Sequence, residues 1–199
     1  MAVSVDYYFS VASPWTYLGS ARFISMVRRS HATVRVMPLD YTRVFAATGG
    51  LLYQHRAPAR RAYRQVELAR WRDTLGIHLQ LEPRFYPVDR RPASCMLIAA
   101  RDQEQAAILE LSHAILRTAW CDDGDIADWD TLVRLADQVG LDGHVLAGRA
   151  RDPAIMKQYE QDTEDAIAIQ VFGAPSYVID GEIFWGQDRL DFVERKLGL

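Results

Sequence analysis

The chain has 199 residues and a mass of 22.6 kDa, with 49% hydrophobic residues, 25% charged residues and a net charge of -3. A folded protein of that size buries about 70% of the surface its unfolded chain exposes, so one sizeable core needs no covalent staples. Two cysteines, Cys95 and Cys121, exclude a disulfide framework, and without nearby Cys or His partners they also exclude a zinc site.

The opening segment MAVSVDYYFS has no basic n-region, so no secretory signal is visible. No run approaches the length of apolar chain that spans a bilayer, and a cytoplasmic protein without membrane contact is the default. Val3, Val5, Tyr7 and Phe9 alternate with Ser4, Asp6 and Tyr8, which predicts a strand, and a buried one given Tyr8. Ser13 is a favoured N-cap and Pro14 a favoured first helical residue, so a helix begins at Pro14. Tyr17, Leu18, Ala21, Ile24 and Ser25 share its expected inner face, with Val27 beside it, and Arg28 and Arg29 suit its last turn. Val34 and Val36 predict a second strand reaching about Leu39, ended by Pro38 and Asp40. Together these form a βαβ unit.

About a hundred residues with almost no strand signal follow. Helices are expected over Arg60–Leu75, Ala93–Ala100, Glu104–Trp120 and Thr131–Val139, the last capped by Asp128 or Asp130. The first carries two apolar stripes, Ala59, Ala62, Tyr63, Val66 and Ala69 on one and Leu68, Trp71 and Leu75 on the other. That pattern predicts burial on two sides. At the far end, Asp152-Pro153 starts a helix reaching about Gln170, with Met156, Tyr159 and Ile167 inward. Phe172 to Pro175 is a turn. Ser176–Ile179 and Glu182–Trp185 are strands joined at Asp180-Gly181, a strong hairpin signal. Gly186-Gln187-Asp188 opens a last helix, with Leu190, Val193 and Leu197 inward and Phe192 at the edge of that stripe.

The order β-α-β, helical block, α-β-β-α is an α/β, thioredoxin-like arrangement with an all-helical insertion. Its expected pieces are residues 1–40 and 152–199 for the thioredoxin-like part and 41–151 for the insertion. Thioredoxin-like redox proteins carry Cys-x-x-Cys where the first helix begins, and a helix N-terminus favours a thiolate there. This chain has Ser13-Pro14-Trp15-Thr16 instead. Ser13 is either a helix cap alone or also a donor to a thiolate supplied from outside. Pro175 is either an ordinary turn proline or the cis proline of such folds, where the preceding residue offers its backbone to an extended ligand. Asp188 is either a capping residue or a partner for a ligand ammonium.

Six arginines stand between Gln54 and Arg72 against one acid, Glu67. They form either a solvated helix face or part of a pocket for anions, with Arg56, Arg60, Arg61 and Arg64 as candidates. The pI near 5.9 and the lack of a recognition motif exclude a nucleic-acid stripe. Trp15, Phe45 and Tyr86 are candidates for an aromatic wall. The five histidines have no metal spacing, and the acidic run from Asp122 to Asp130 lacks the glycine and terminal glutamate of a calcium loop, so no metal is expected.

The segments FSVASPWTYLG, TGG…APARRAY and VFGAPSYVIDGEIFWGQDRL together resemble the 2-hydroxychromene-2-carboxylate isomerase family, a relative of the kappa-class glutathione transferases. The resemblance spans the whole chain, insertion included. It implies bound glutathione, a catalytic serine at Ser13, and Ala174 pairing with the glutathione cysteinyl backbone. It implies that Gln187 and Asp188 hold the γ-glutamyl end, and that Arg60 replaces a lysine that reaches the glycine carboxylate. Gly50 stands where many relatives have an asparagine that bonds the ligand, and Gln187 where kappa transferases have serine. Trp15, Arg56 and Arg64 are expected to contact a small aromatic carboxylate substrate, and relatives suggest a homodimer. The expected activity is glutathione-dependent interconversion of 2-hydroxychromene-2-carboxylate and trans-o-hydroxybenzylidenepyruvate. Two alternatives are a kappa-type transferase or peroxidase, which consumes the thiol, and a thioredoxin-fold binding protein without chemistry.

Overall fold

A computed structural model describes residues 3–199, so the first two residues of the expected opening piece lie outside the described residues. Strand β1 (Ser4–Phe9) leads into helix α1 (Pro14–Ser30) and strand β2 (Thr33–Pro38). β1 is buried at Val5, Tyr7, Tyr8 and Phe9, as its mixed pattern predicts. α1 is capped by Ser13 and ends in Arg28 and Arg29. Its inner face differs from the expected one. Ala21 and Ser25 are exposed, while Phe23, Met26 and Val27 are buried with Tyr17, Leu18 and Ile24.

Helix α2 (Tyr41–Thr48) follows, capped by Asp40, and was not expected. After a short 3-10 turn over Tyr53–His55 come α3 (Pro58–Leu75), α4 (Arg91–Ala99), α5 (Gln105–Trp120) and α6 (Trp129–Gln138). Asp128, not Asp130, caps α6 by accepting the Thr131 N–H. Helix α7 (Gly143–Ala150), also unexpected, is capped by Asp142. The two-sided burial expected of α3 does not occur. Ala59, Ala62, Tyr63 and Val66 are exposed, and the helix buries only the stripe of Arg64 and Leu68.

Helix α8 (Pro153–Ala168), strands β3 (Ser176–Ile179) and β4 (Glu182–Trp185), a 3-10 turn over Gln187–Arg189 and helix α9 (Leu190–Lys196) complete the chain. Leu190, Val193 and Leu197 are buried, as their spacing predicts. The sheet order is β2-β1-β3-β4, with β1 parallel to β2 and antiparallel to β3. This is the thioredoxin-like architecture read from the order of elements.

The sheet's core face is aromatic. Tyr7 stacks on Phe9 and on Tyr177 with ring centroids 4.5 and 5.3 Å apart. The same apolar cluster continues through Met96 and Leu97 of α4, Ile115 of α5, Leu132 of α6 and Leu146 of α7. A separate cluster joins Tyr17 and Leu18 of α1 to Leu68 of α3 and to Leu116 and Trp120 of α5. That second cluster fixes the N-terminal turn of α1 relative to α3.

Candidate active site

A cavity of about 700 Å³ opens where the start of α1, the α2–α3 connection, the 86–90 loop and the 172–174 turn meet. That volume is within the usual range for a small-molecule site. Of the residues singled out from sequence, Ser13, Trp15, Gly50, Arg56, Arg60, Arg64 and Ala174 all line it, as do the candidate wall residues Phe45 and Tyr86. Gln187 and Asp188 do not. Gln187 is buried against α1, where a Cβ on Gly19 would press into its side chain, and the Asp188 carboxylate pairs with Arg189 at 2.9 Å.

Ser13 holds extended backbone angles, and its Oγ accepts the Thr16 N–H at 3.2 Å. Its carbonyl accepts the Tyr17 N–H at 3.1 Å. Pro14 has no N–H, so the Trp15 N–H is the orphan donor of this helix terminus. The cap bond occupies one lone pair of the hydroxyl and leaves its proton free to donate. The capping role and the donor role are therefore compatible.

The chain's own thiols are elsewhere. Cys95 and Cys121 are both buried and free, and neither lines the cavity. Burial pushes the Cys95 thiol up to about 11 and raises that of Cys121 as well. Both are protonated near neutral pH, and neither is a nucleophile for this cavity.

Three of the arginines that line the cavity with Ser13 differ in their surroundings. Arg60 is exposed. Arg56 is partly buried, and its Nε donates to the Leu51 carbonyl at 2.9 Å. Arg64 is only 7% exposed. Its guanidinium lies 4.6 Å from the Tyr53 ring centroid, 5.6 Å from that of Tyr86 and 5.7 Å from that of Trp120. Burial lowers its pKa, and the charged or titratable groups acting on it are Tyr86, Tyr53 and Arg56, with no carboxylate among them. Arg61 does not line the cavity, and Arg70 and Arg72 are paired with Glu67 and Asp73, so half of the arginine run is a solvated face.

Gly50 packs against the Phe45 ring, into which a Cβ would collide. The Ala174-Pro175 bond is cis, the second of the two readings open for Pro175, and so is Tyr86-Pro87, which the sequence reading did not single out. Sequence reasoning also missed Arg90 and the exposed pair Phe172 and Trp185, whose rings meet edge to face 4.8 Å apart and which both line the cavity. A turn flanked by two aromatics, Phe172 and Trp185, was the available signal for them.

Residues 4–198 match the DsbA-like thioredoxin domain. A 2-hydroxychromene-2-carboxylate isomerase from Sphingobium xenophagum is 30% identical over 99% of each chain. The chain belongs to this isomerase family within the DsbA-like thioredoxin proteins. A relative of the same name from Pseudomonas putida is 28% identical, covering 98% of this chain and 94% of its own. A solved 2-hydroxychromene-2-carboxylate isomerase superposes with a TM-score of 0.84 at 25% identity, over 98% of this chain and 94% of that one. The cytosolic disulfide reductase DsbM from Pseudomonas aeruginosa, solved with glutathione, shares the fold with a TM-score of 0.68 at 16% identity, over 98% and 100% of the two chains. No helix among the described residues is long and apolar enough to cross a membrane.

Proposed function

We propose that this isomerase-family protein interconverts 2-hydroxychromene-2-carboxylate and trans-o-hydroxybenzylidenepyruvate in the cytoplasm, with glutathione as its cofactor. The observation that carries the reading is a hydroxyl-capped helix start facing a 700 Å³ cavity that contains no thiol of the chain's own. The walls suit the tripeptide. Ala174 lies at the cavity edge just before β3, where an extended backbone can add as a strand would. Arg60 is an exposed cation for a terminal carboxylate, and Asp188, exposed and outside the cavity lining, is the carboxylate we assign to the ligand ammonium in place of its Arg189 partner.

Glutathione supplies, when bound, a thiolate whose reversible addition makes a conjugated C=C single and free to turn. Ser13 donates its hydroxyl proton toward that thiolate and keeps the Thr16 bond while doing so. The Trp15 N–H and the partial positive charge of the α1 N-terminus act in the same direction. Arginine from the α2–α3 side holds the substrate carboxylate and so fixes which carbon faces Ser13. Trp15, Phe45 and Tyr86 give the flat substrate an apolar wall and exclude water.

The test is turnover of 2-hydroxychromene-2-carboxylate with and without glutathione. Isomerisation that requires glutathione and returns it unconsumed is expected. No isomerisation in the presence of glutathione would sink the reading.

A further inference from the structure

We infer that Arg64, and not the more exposed arginines around it, is the specificity-determining anion receptor of the cavity: it selects a flat conjugated acid by its carboxylate. This deepens the isomerase reading and rests on it for the identity of the site.

Arg64 is 7% exposed, and among the described residues its guanidinium makes neither an ion pair nor a side-chain hydrogen bond. A buried charge without a partner is costly, and proteins ordinarily pair it. Here the guanidinium lies among the rings of Tyr53, Tyr86 and Trp120, and the charge acting on it is that of another cation, Arg56. Rings interact with the faces of the cation and accept none of its in-plane N–H bonds. Those donors remain for whatever enters the cavity that Arg64 lines.

The same box limits what can enter. Tyr53 and Tyr86 line the cavity beside Arg64, and their centroids are 6.2 Å apart. A planar carboxylate matches the guanidinium fork bidentately, and a conjugated system attached to it stays flat against the rings. Arg56 and Arg60 offer no such selection. One already donates to the Leu51 carbonyl and the other stands in solvent, where screening weakens its hold on any anion.

The sequence carries the signal in a form easily passed over. Arg64 stands one turn before Leu68, at the head of the apolar spacing Leu68, Trp71 and Leu75, and Arg64 and Leu68 are the residues that α3 buries.

The test measures binding of trans-cinnamate, a flat conjugated acid, and of its neutral isostere trans-cinnamamide by calorimetry, without glutathione. Wild-type protein should prefer the acid about 10- to 100-fold, the range expected for charge-assisted hydrogen bonds. Arg64→Met should abolish that preference, Arg64→Lys should retain part of it, and Arg61→Met should leave it intact. Equal binding of acid and amide by wild type, no binding of either, or a preference that survives in Arg64→Met would overturn the inference. If Arg64→Met does not fold, the wild-type preference and its reduction in Arg64→Lys decide. A protein that prefers cinnamate through Arg64 but does not turn over the isomerase substrate would refute the isomerase reading alone.

Discussion

The Ser13 hydroxyl accepts the Thr16 N–H at 3.2 Å, so one side chain both caps α1 and keeps a proton to donate into the cavity. The two roles can be separated by choice of substitution. Ser13→Ala loses the cap and costs about 1 kcal/mol of stability, whereas Ser13→Gly costs only a few tenths. Both lose the donor. Turnover should fall roughly 10²- to 10³-fold in each, the usual effect of removing one donor from a developing or stabilised anion. Urea melts with steady-state rates on both variants check this, and a near-normal rate in Ser13→Gly would leave Ser13 as a cap only.

Gly50 should be intolerant of a side chain. A Cβ there collides with the Phe45 ring, which itself lines the cavity. Gly50→Ala should cost about 1–3 kcal/mol of stability, as overpacking usually does, and should raise KM more than it lowers kcat. Adding Phe45→Leu should recover much of the lost stability. A double variant no more stable than Gly50→Ala would mean that the clash is not the cause.

The absence of a working thiol in the chain is testable by removing both cysteines. Burial raises the pKa of Cys95 and of Cys121, and the Cys121 Sγ lies 2.9 Å from the Tyr17 hydroxyl in a packed contact. Cys95→Ala with Cys121→Ala should lose stability, by about 0.5–3 kcal/mol per site, yet keep glutathione-dependent turnover. Loss of turnover in a folded double variant would return the chemistry to the protein's own sulfur.

A histidine adds a pH dependence to stability. His113 Nδ1 lies 2.8 Å from Ser20 Oγ and its ring stacks on Tyr17 at 5.9 Å. Burial lowers its pKa, opposed by Glu110 and reinforced by Arg117. The unfolded chain therefore takes up the proton first. The stability carried by neutral His113 is complete above the unfolded value of about 6.5 and is lost as pH falls through the lower folded value. The urea midpoint of wild type should drop below about pH 6.5, and His113→Gln should flatten that limb. An unchanged acid limb in the variant would assign the loss to other groups.

The strands and long helices were legible because their periods are long or their punctuation is strong. Ser13-Pro14, Asp152-Pro153 and Asp180-Gly181 all mark real boundaries. The two missed helices have eight residues each, too few to show a period, and α2 buries only Tyr41 and Val44. Their caps were visible all the same, since Asp40 accepts the Thr42 N–H and Asp142 that of Val145. The second stripe of α3 misled because apolar spacing reports which residues can share a face, not whether a neighbour arrives to cover it. In the site, residue type located Ser13 and the arginine cluster. It named Arg64 beside Arg56 but did not separate the two, because two of the three rings around Arg64, those of Tyr86 and Trp120, come from the 86–90 loop and α5, far along the chain.

The cluster that packs Tyr17 and Leu18 against Leu68 and Trp120 has a mechanical consequence. Ser13 lies one turn before its α1 members, and Arg64 one turn before its α3 member. The span between Ser13 and Arg64, which both line the cavity, is thus set by a dry joint of large side chains rather than by loops. A ligand would meet a gauge of fixed length, and on heating that gauge should hold until the joint itself melts.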